Sequence, residues 1–225
     1  MRIAVLGTGI VGRTIAARTA ELGHDVSVGT RDPQATLART EPDQMGNPPF
    51  SAWHAEHPGI ALDTFADAAS GAELVVNASS GAASLELLGL AGAENLAGKV
   101  LVDIANPLDF SAGFPPTLFV KDTDSLAEQI QRAFPDTKVV KALNTLNAVL
   151  MVHPEQLAGG NHTIFVSGND EQAKATVTEL LRSFGWSDII DLGDISTARG
   201  TEMLLPIWLR LMGKLGPGFN FKIVR

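Results

Sequence analysis

Gly7-Thr8-Gly9-Ile10-Val11-Gly12 is the most informative segment of this sequence. It directly follows the apolar run Arg2–Leu6 and opens a segment, Ile10–Leu22, whose apolar residues recur at helical spacing. A glycine-rich turn between a strand and a helix presents free backbone N–H groups to a phosphate, and the helix dipole adds to the attraction. This context, rather than the glycines alone, predicts a pyrophosphate-binding turn to which all six residues contribute.

The three glycines of the turn have separate roles in such a site. Gly7 permits the tight turn, Gly9 lets the backbone approach the pyrophosphate, and Gly12 lets the helix pack closely on the strand. The turn alone does not distinguish NAD from NADP, because the two cofactors share the pyrophosphate and differ at the adenosine ribose.

The end of the second predicted strand bears on that distinction. This strand, Asp25–Val28, leads into Gly29-Thr30-Arg31-Asp32-Pro33. NAD-specific proteins place an acidic residue here to bind the ribose hydroxyls, whereas the hydroxyl of Thr30 and the guanidinium of Arg31 suit a 2′-phosphate. Asp32 stands at about the acidic position, but we interpret it as the N-cap of the next helix. The segment favours NADP.

Apolar runs and helix-period segments alternate along the whole chain, which predicts βαβ units. The predicted strands are Arg2–Leu6, Asp25–Val28, Glu73–Asn77, Lys99–Ile104, Lys138–Leu143, Thr163–Val166 and Asp188–Asp191. The predicted helices are Ile10–Leu22, Ala82–Leu90, Ser125–Phe134, Glu171–Phe184 and Thr197–Leu215. The fold class is therefore α/β, a Rossmann-type, doubly wound, mostly parallel sheet. We divide it into a dinucleotide-binding domain at residues 1–145 and a small C-terminal α/β extension at residues 146–225.

Two segments lack a regular pattern. Glu41–Pro58 contains four prolines and is predicted to be a long loop with a short helix, and Asn106–Pro116 leaves the end of a strand. Long ordered loops are frequent places for ligand-binding residues.

Three predicted strands end at or within two residues of an asparagine: Asn77, Asn106 and Asn144. Asparagine often caps strands and turns, but ligands of open α/β sheets bind outside the carboxyl ends of the strands. A carboxamide both donates and accepts, so it can pair with ribose hydroxyls or with the nicotinamide amide. We therefore assign the three asparagines, and Ser79 beside the first of them, to the cofactor cleft.

Composition and charge exclude several classes of function. The 225-residue chain has a net charge of −8, which argues against binding to a nucleic-acid backbone. It contains no cysteine, which excludes disulfides, thiolate metal ligands and cysteine nucleophiles. Its most apolar stretch, Met203–Met212, is interrupted by Pro206 and Arg210 and is far shorter than the ~20 apolar residues of a membrane span. We expect a cytoplasmic protein without a membrane segment.

Residues suited to acid–base or metal chemistry are few. His54 and His57 could share a helix face, but no third metal ligand is evident. Lys141, within a predicted strand near the cleft, is better interpreted as a structural charge partner than as a base. No Ser/His/Asp set is recognisable. We therefore predict neither a metal site nor a catalytic acid or base.

Beyond the turn, several segments resemble the NADPH-dependent coenzyme F420 reductases, a family that also includes the reductase domains of the STEAP metalloreductases. The resemblance spans essentially the whole chain. It rests on VGTRDP (28–33), VVNASSGA (75–82), DIANPLDF (103–110), VVKALNTLNA (139–148) and the ending from Asp191 onward.

The resemblance implies an oxidoreductase with NADP(H) over the glycine turn and with Thr30 and Arg31 at the 2′-phosphate. It further implies that a deazaflavin or flavin stacks on the nicotinamide and that Pro217–Phe221 helps to close the deazaflavin pocket. The residues implied at the nicotinamide end are Asn106, Pro107, Leu143, Asn144 and Thr145. The loop Glu41–Pro58 is a departure, because the archaeal enzymes have a shorter segment there.

The expected function is hydride transfer between NADP(H) and a small-molecule redox partner, with coenzyme F420 as the leading candidate. The cofactor carries this chemistry, and the protein supplies position and electrostatics. One alternative is an NADP-dependent dehydrogenase of a small hydroxy or imino acid, a class that usually continues into a long all-helical domain. Another is a non-catalytic NADP-binding sensor. An open slot beside the nicotinamide favours the reductase, and a filled pocket favours the sensor.

The predicted helix Thr197–Leu215 is apolar nearly all round, which is unusual for a helix with one face in solvent. Either the monomer covers both faces or one face meets another subunit. We favour a symmetric homodimer, the commonest closed assembly, with Trp208 and Leu211 as interface anchors.

Two finer features are expected in the same helix. Pro206 should kink it, because proline lacks an N–H and clashes with the preceding turn. Arg199 and Glu202, three residues apart, should form a local ion pair.

Overall fold

The computed structural model describes residues 1–43 and 46–225, and in that part of the chain the strands form an eight-stranded sheet and a two-stranded hairpin. The strands are β1 (Arg2–Leu6), β2 (Asp25–Thr30), β3 (Ala61–Thr64), β4 (Leu74–Asn77), β5 (Val100–Asp103), β6 (Leu108–Asp109), β7 (Thr117–Leu118), β8 (Lys138–Ala142), β9 (Thr163–Gly168) and β10 (Asp188–Asp191). The helices are α1 (Ile10–Glu21), α2 (Pro33–Leu37), α3 (Phe50–Glu56), α4 (Phe65–Gly71), α5 (Ser84–Ala91), α6 (Ala93–Leu96), α7 (Leu126–Ala133), α8 (Ala148–Val152), α9 (Glu171–Ser183), α10 (Ala198–Met203) and α11 (Leu205–Leu215).

The large sheet has the strand order β10-β9-β8-β5-β4-β1-β2-β3. Neighbouring strands from β3 to β8 are parallel, whereas β9 is antiparallel to β8 and β10 is parallel to β9. The order reverses between β1 and β4, the topological switch point at which open α/β sheets bind ligands. The prediction of a Rossmann-type, mostly parallel sheet is therefore confirmed.

Both faces of the sheet are buried, which explains why its strands are near-continuous apolar runs. In β1, Ile3 and Val5 belong to the core beneath α1, α8 and α9, whereas Ala4 and Leu6 belong to the core beneath α4 to α7. Successive side chains of a strand point to opposite faces, so one short strand anchors two cores. This double burial holds the carboxyl ends of β1, β2, β4, β5 and β8 at one edge.

The sequence predictions missed β3 and α4. The strand β3 is short, lies at the edge of the sheet and is only partly buried, so it lacks an alternating apolar pattern. The helix α4 has a capping signal, because the Thr64 hydroxyl accepts from the Asp67 amide. Its remaining residues are mostly alanine and glycine, which show little apolar periodicity.

The C-terminal helix is interrupted rather than continuous. It ends at Met203 and begins again at Leu205, with Pro206 in the first turn of α11. Proline suits the first turn of a helix because its missing N–H has no partner there. The single predicted helix Thr197–Leu215 is therefore wrong, and the kink at Pro206 stays a prediction.

The predicted ion pair between Arg199 and Glu202 is also wrong. Arg199 binds Glu128 through two hydrogen bonds of 2.6 and 2.8 Å. Glu202 accepts from the backbone amides of Leu126 and Ala127 at the start of α7. Because α10 packs against the N-terminus of α7, both side chains find partners more than 70 positions away.

The two irregular segments are partly structured. The short helix expected within Glu41–Pro58 is α3, and residues 44 and 45 of that loop lie outside the described residues. The strand β6 lies in Asn106–Pro116 and pairs with β7, directly after that segment, in an antiparallel hairpin that the sequence did not reveal. The strands β8 and β9, on either side of residue 145, lie in one sheet. The sheet therefore marks no boundary there, and the division at residue 145 stays a prediction.

In the described part of the chain, no helix is long and apolar enough to cross a membrane. The helix α11 buries Leu205 and Leu209, while Ile207 is 49% exposed and Leu215 is 63% exposed. Part of its apolar surface is therefore uncovered in a single chain, and the homodimer stays a prediction.

Candidate functional site

The glycine turn between β1 and α1 is packed on one side and open on the other. Gly7 has a φ of +130°, and a Cβ there would lie 2.6 Å from the Ala78 carbonyl oxygen. A Cβ on Gly12 would lie 2.1 Å from the Gly7 carbonyl oxygen. By contrast, a Cβ on Gly9 would meet no atom of the described residues within 4 Å. Gly7 and Gly12 thus make the turn compact, and Gly9 faces open space.

The start of α1 completes an anion-binding arrangement. Gly9 is its N-cap, and within residues 1–43 and 46–225 no side chain caps this end. The first N–H groups of a helix have no partner inside the helix, so those after Gly9 remain free for a ligand. A 12-residue helix also brings a partial positive charge to this end. The turn therefore fits the pyrophosphate of a dinucleotide.

A cleft of about 950 Å³ lies beside the turn, at the carboxyl ends of β4 and β5. Its wall is mainly apolar and includes the aromatic rings of Phe110 and Phe119 from the β6–β7 hairpin. The lining residues are Val11, Ala78, Ser79, Ser80, Gly81, Ala82, Leu85, Ile104, Ala105, Asn106, Leu108, Asp109, Phe110, Phe119, Leu126, Gln129, Leu146 and Met151. Val11 of the turn belongs to this wall, so the cleft and the pyrophosphate site are continuous.

Asn106 and Asn144 lie together at one end of the cleft. The Asn144 amide donates to the Asn106 side-chain oxygen at 3.1 Å, and the Asn106 amide donates to the Asn144 carbonyl at 2.8 Å. These bonds join the ends of β5 and β8. Asn106 lines the cleft, whereas Pro107, Asn144 and Thr145 are buried behind it. The structure thus brings two of the three predicted asparagines together.

Leu143 also lies in this region and has an unusual backbone conformation. It is buried and has a φ of +63°. A branched side chain in the left-handed region is strained, and such strain concentrates at functional sites. The strain is accommodated at the end of β8, where the chain turns towards Leu146 in the cleft wall.

Asn77 is fully buried, and neighbouring side chains use both ends of its carboxamide. Its nitrogen donates to Ser84 and Asp103, and its oxygen accepts from the Ser79 hydroxyl at 2.6 Å. Ser79, in turn, lines the cleft. Asn77 therefore reaches the cleft through Ser79 and has no direct contact with it.

Beneath the cleft, Lys141 is buried between two carboxylates. Its ammonium group lies 2.8 Å from Asp103 and 2.8 Å from Glu202, and it donates to the Ala105 carbonyl. Burial by itself lowers the pKa of Lys141, but the two carboxylates outweigh burial and raise that pKa above its usual value. Lys141 is thus a charged structural partner, as its position in the sequence suggested, and it supports Ala105 in the cleft wall.

The predicted 2′-phosphate residues lie at the end of β2. The Thr30 hydroxyl is buried and shares a 2.8 Å hydrogen bond with the Thr36 hydroxyl of α2. Arg31 is exposed and forms a 2.7 Å ion pair with Glu86 of α5. Asp32 caps α2 by accepting from the Ala35 amide, which confirms its interpretation as an N-cap.

A second cavity, of about 530 Å³, lies on the other side of the glycine turn. Thr8 and Gly9 line it, together with Thr36 and residues of the segment that follows α2. Arg13 of α1 donates to the Thr8 carbonyl at 2.8 Å and to the Pro48 carbonyl at 2.5 Å. Arg13 thereby ties the turn to the far wall of this cavity.

The remaining sequence candidates are not part of either cavity wall. His54 lies in α3 and His57 is the C-cap that follows it. They hydrogen-bond to the carbonyls of Ile60 and Trp53 and stack on aromatic rings. Pro217 accepts from Asn147, the neighbour of Leu146 in the cleft wall. The segment Pro217–Phe221 is therefore one contact away from the cleft.

Sequence reasoning missed several residues of the site. Phe110 lies in the irregular segment that follows Asn106, so proline content was a usable signal for its loop. Met151 and Leu146 of the cleft wall belong to the α8 region, which had no clear signal. Asp103 and Glu202, the partners of Lys141, could not be found, because their proximity depends on packing between distant elements.

The family model of coenzyme F420-dependent NADP oxidoreductases matches residues 2–107. A crystal structure of a protein from Arthrobacter sp. FB24, proposed to be an F420-dependent NADP-reductase, is 66% identical, covers 100% of both chains and has a TM-score of 0.96. F420-dependent NADP reductase from Methanocaldococcus jannaschii is 36% identical over 121 residues, which are 52% of this chain and 52% of that protein. Metalloreductase STEAP3 from Rattus norvegicus is 30% identical over 213 residues, which are 92% of this chain and 38% of that protein. The chain thus spans about half or less of these two curated relatives.

Proposed function

The chain belongs to the family of coenzyme F420-dependent NADP oxidoreductases, and from that premise we propose that it transfers hydride between NADP(H) and coenzyme F420. The observation that carries the proposal is the continuity of the open apolar cleft with the glycine turn through Val11. Direct transfer requires donor and acceptor carbons near contact distance. One cleft that borders the pyrophosphate site offers space for both reacting rings, which supports the proposal.

The residues of the glycine turn would hold the pyrophosphate of NADP(H), because Gly9 is open and the start of α1 is uncapped. Arg31 would bind the 2′-phosphate after exchanging its partner Glu86 for the ligand. Asn106 would orient the nicotinamide end from the cleft wall. Asn144, behind it, would hold the Asn106 carboxamide in place through their mutual hydrogen bonds.

The acceptor would lie in the apolar part of the cleft. Phe110, Phe119 and Met151 offer the flat and polarisable surfaces on which a planar ring packs well. Among described lining residues, Asp109 supplies the charge of the cleft. An anionic tail on the acceptor would therefore extend out of the cleft, and the uncharged ring system would enter it.

When bound, the nicotinamide supplies the hydride and the deazaflavin accepts it. The residues of this chain bind, orient and exclude water, and the proposal assigns no side chain the role of acid or base. Lys141, the strongest basic candidate near the cleft, is neutralised by two carboxylates and has a raised pKa, so it is not available as a base.

The test is NADPH oxidation with four acceptors in parallel: coenzyme F420, FMN, FAD and a ferric chelate. We expect coenzyme F420 to be reduced fastest, and Phe110→Ala to slow that reaction without changing NADPH affinity. Phe114→Ala is the matched control, because Phe114 is exposed in the same hairpin and lies outside the cleft wall. NADPH binding without F420 reduction would refute the proposal and favour a sensor. A small keto acid and a cyclic imine, assayed in the same way, test the dehydrogenase; turnover of either faster than that of coenzyme F420 would favour that alternative.

We also propose that the chain forms a symmetric homodimer through α11. Ile207 and Leu215 are exposed there, and the Trp208 indole nitrogen is buried without a hydrogen-bond partner among residues 1–43 and 46–225. Light scattering should give about twice the 23.7 kDa of one chain, and Ile207→Glu should halve the mass. A mass of one chain at micromolar concentration would refute the dimer.

A further inference from the structure

The cavity on the β2 side of the glycine turn contains an arginine that has no role so far. Arg39 follows α2, is exposed and lines the cavity together with Thr8 and Gly9. In the part of the chain that the structure describes, its guanidinium has neither an ion-pair nor a hydrogen-bond partner. Its backbone amide bonds to Thr36 and its carbonyl accepts from Ser51, so the backbone is held in place.

We propose that Arg39 is a second cationic ligand of the 2′-phosphate of NADP(H), and that residues 38–43, with Pro49 and Phe50, form the outer wall of the pocket that receives it. The proposal rests on the proposed function, because it deepens the cofactor specificity of that site. It also gives a role to the long loop after α2.

The position of the cavity supports this assignment. Thr8 and Gly9 place it against the pyrophosphate-binding turn, and Thr36 places it against the end of β2, since its hydroxyl bonds to Thr30. A ribose phosphate attached to a pyrophosphate at the turn is within reach of both. The volume of about 530 Å³ lies in the range of small-ligand pockets.

The other arginines near the turn have partners already. Arg13 donates to two backbone carbonyls and lies over the Phe50 ring at 5.5 Å, so its guanidinium stabilises the cavity wall. Arg31 pairs with Glu86 and must leave it before it can bind a ligand. Arg39 is the guanidinium that can bind an anion without breaking a contact between described residues.

Two acidic residues also line the cavity and oppose an anion there. Asp43 accepts from the backbone and side-chain amides of Asn47, and its charge acts on Arg13. Glu41 is exposed, and its carboxylate adds negative charge beside Arg39. Arg39 and Glu41 are therefore predicted to have opposite effects. Removal of Arg39 should weaken the binding of a 2′-phosphate, and neutralisation of Glu41 should strengthen it.

The experiment measures dissociation constants of NADPH, NADH, 2′,5′-ADP and ADP by calorimetry. We expect Arg39→Ala to weaken the binding of NADPH and 2′,5′-ADP by about tenfold, because one charge-assisted contact is lost. NADH and ADP should be unchanged, and Arg39→Lys should restore most of the loss. Glu41→Gln should tighten the two 2′-phosphorylated ligands by about twofold, because like charges repel. Arg182→Ala, an exposed arginine on α9, is the control.

Three outcomes would overturn the proposal. The first is an affinity of Arg39→Ala for NADPH within twofold of that of the unaltered chain. The second is an equal loss of affinity for NADPH and NADH. The third is that inorganic phosphate competes with 2′,5′-ADP equally well in the variant and in the unaltered chain. If Arg31→Ala selectively weakened NADPH binding and Arg39→Ala did not, the proposed function would stand and only the role of Arg39 would be refuted. Equal affinities of the unaltered chain for NADPH and NADH would refute both.

Discussion

Replacement of Lys141 by methionine tests the structural role of the buried charge cluster. The side chains of Lys141, Asp103 and Glu202 are 1%, 0% and 2% exposed, so solvent does not screen their charges. Methionine keeps the length and apolar stem of lysine but removes the ammonium group. Two carboxylates then remain buried without a cation, beside the Ala105 carbonyl that also loses its donor.

The expected loss of stability is large. Removal of one partner from a buried ion pair costs about 3–5 kcal/mol, because the remaining charge is uncompensated. Each carboxylate keeps some compensation: Asp103 accepts from Asn77 and Ala105, and Glu202 accepts from two backbone amides of α7. We therefore expect about 3–4 kcal/mol, which for a chain of this size lowers Tm by roughly 6–16 °C.

Urea unfolding at pH 7, followed by circular dichroism, measures this loss directly. Lys138→Met on the same strand is the control, because its ion pair with Asp170 is partly exposed and should contribute at most about 1 kcal/mol. Combination of Lys141→Met with Glu202→Gln should cost less than the sum of the single changes, since one uncompensated charge is removed.

The pH dependence follows from the sign of the pKa shift. The pKa of Lys141 is raised in the folded state, so its contribution is fully present below the unfolded pKa and is lost only as the pH rises through the folded value. The stability difference between Lys141→Met and the unaltered chain should therefore be constant between pH 7 and pH 9. A loss below about 1 kcal/mol at pH 7 would refute the uncompensated-charge argument.

Three further predictions address the cofactor site and acid stability. Gly12→Ala should lose about 1–3 kcal/mol of stability, because its Cβ overlaps the Gly7 carbonyl, whereas Gly9→Ala should keep the same Tm and lose NADPH affinity; a Gly9→Ala variant that binds NADPH normally would contradict the pyrophosphate assignment. Arg31→Ala should weaken NADPH binding by roughly ten- to a hundredfold and leave NADH unchanged, and Glu86→Gln should tighten NADPH; a uniform loss for both cofactors would count against a 2′-phosphate contact. Hydrogen bonds from Arg132 lower the pKa of Asp124 to about 2. Their contribution to folding stability is therefore present above the usual carboxyl pKa and is lost as the pH falls through about 2. Arg132→Gln should raise the pH midpoint of acid unfolding, and an unchanged midpoint would show that the pair is not stabilising.

The features that could be read from the sequence are those with local physical causes. A glycine turn between an apolar strand and a helix is recognisable from adjacent residues, and so is the N-cap at Asp32, because each depends on backbone geometry within a few positions. Strand ends at Asn77, Asn106 and Asn144 were also near their true places. Their chemistry was less predictable: Asn77 proved to be buried and fully used by neighbours.

The features that only the tertiary structure decided are contacts between distant elements. Glu202 faces Lys141 because α10 packs over the start of α7, and Arg31 meets Glu86 because β2 ends, and α5 begins, at the same edge of the sheet. Arg39 reaches the cavity at Thr8 because the segment after α2 folds back over the glycine turn. Sequence patterns report the periodicity and turn chemistry of single elements, whereas a charge pair or a pocket depends on which elements pack together. The sequence alone therefore determined the fold class and the dinucleotide turn, and packing decided which side chains form the walls of the two cavities.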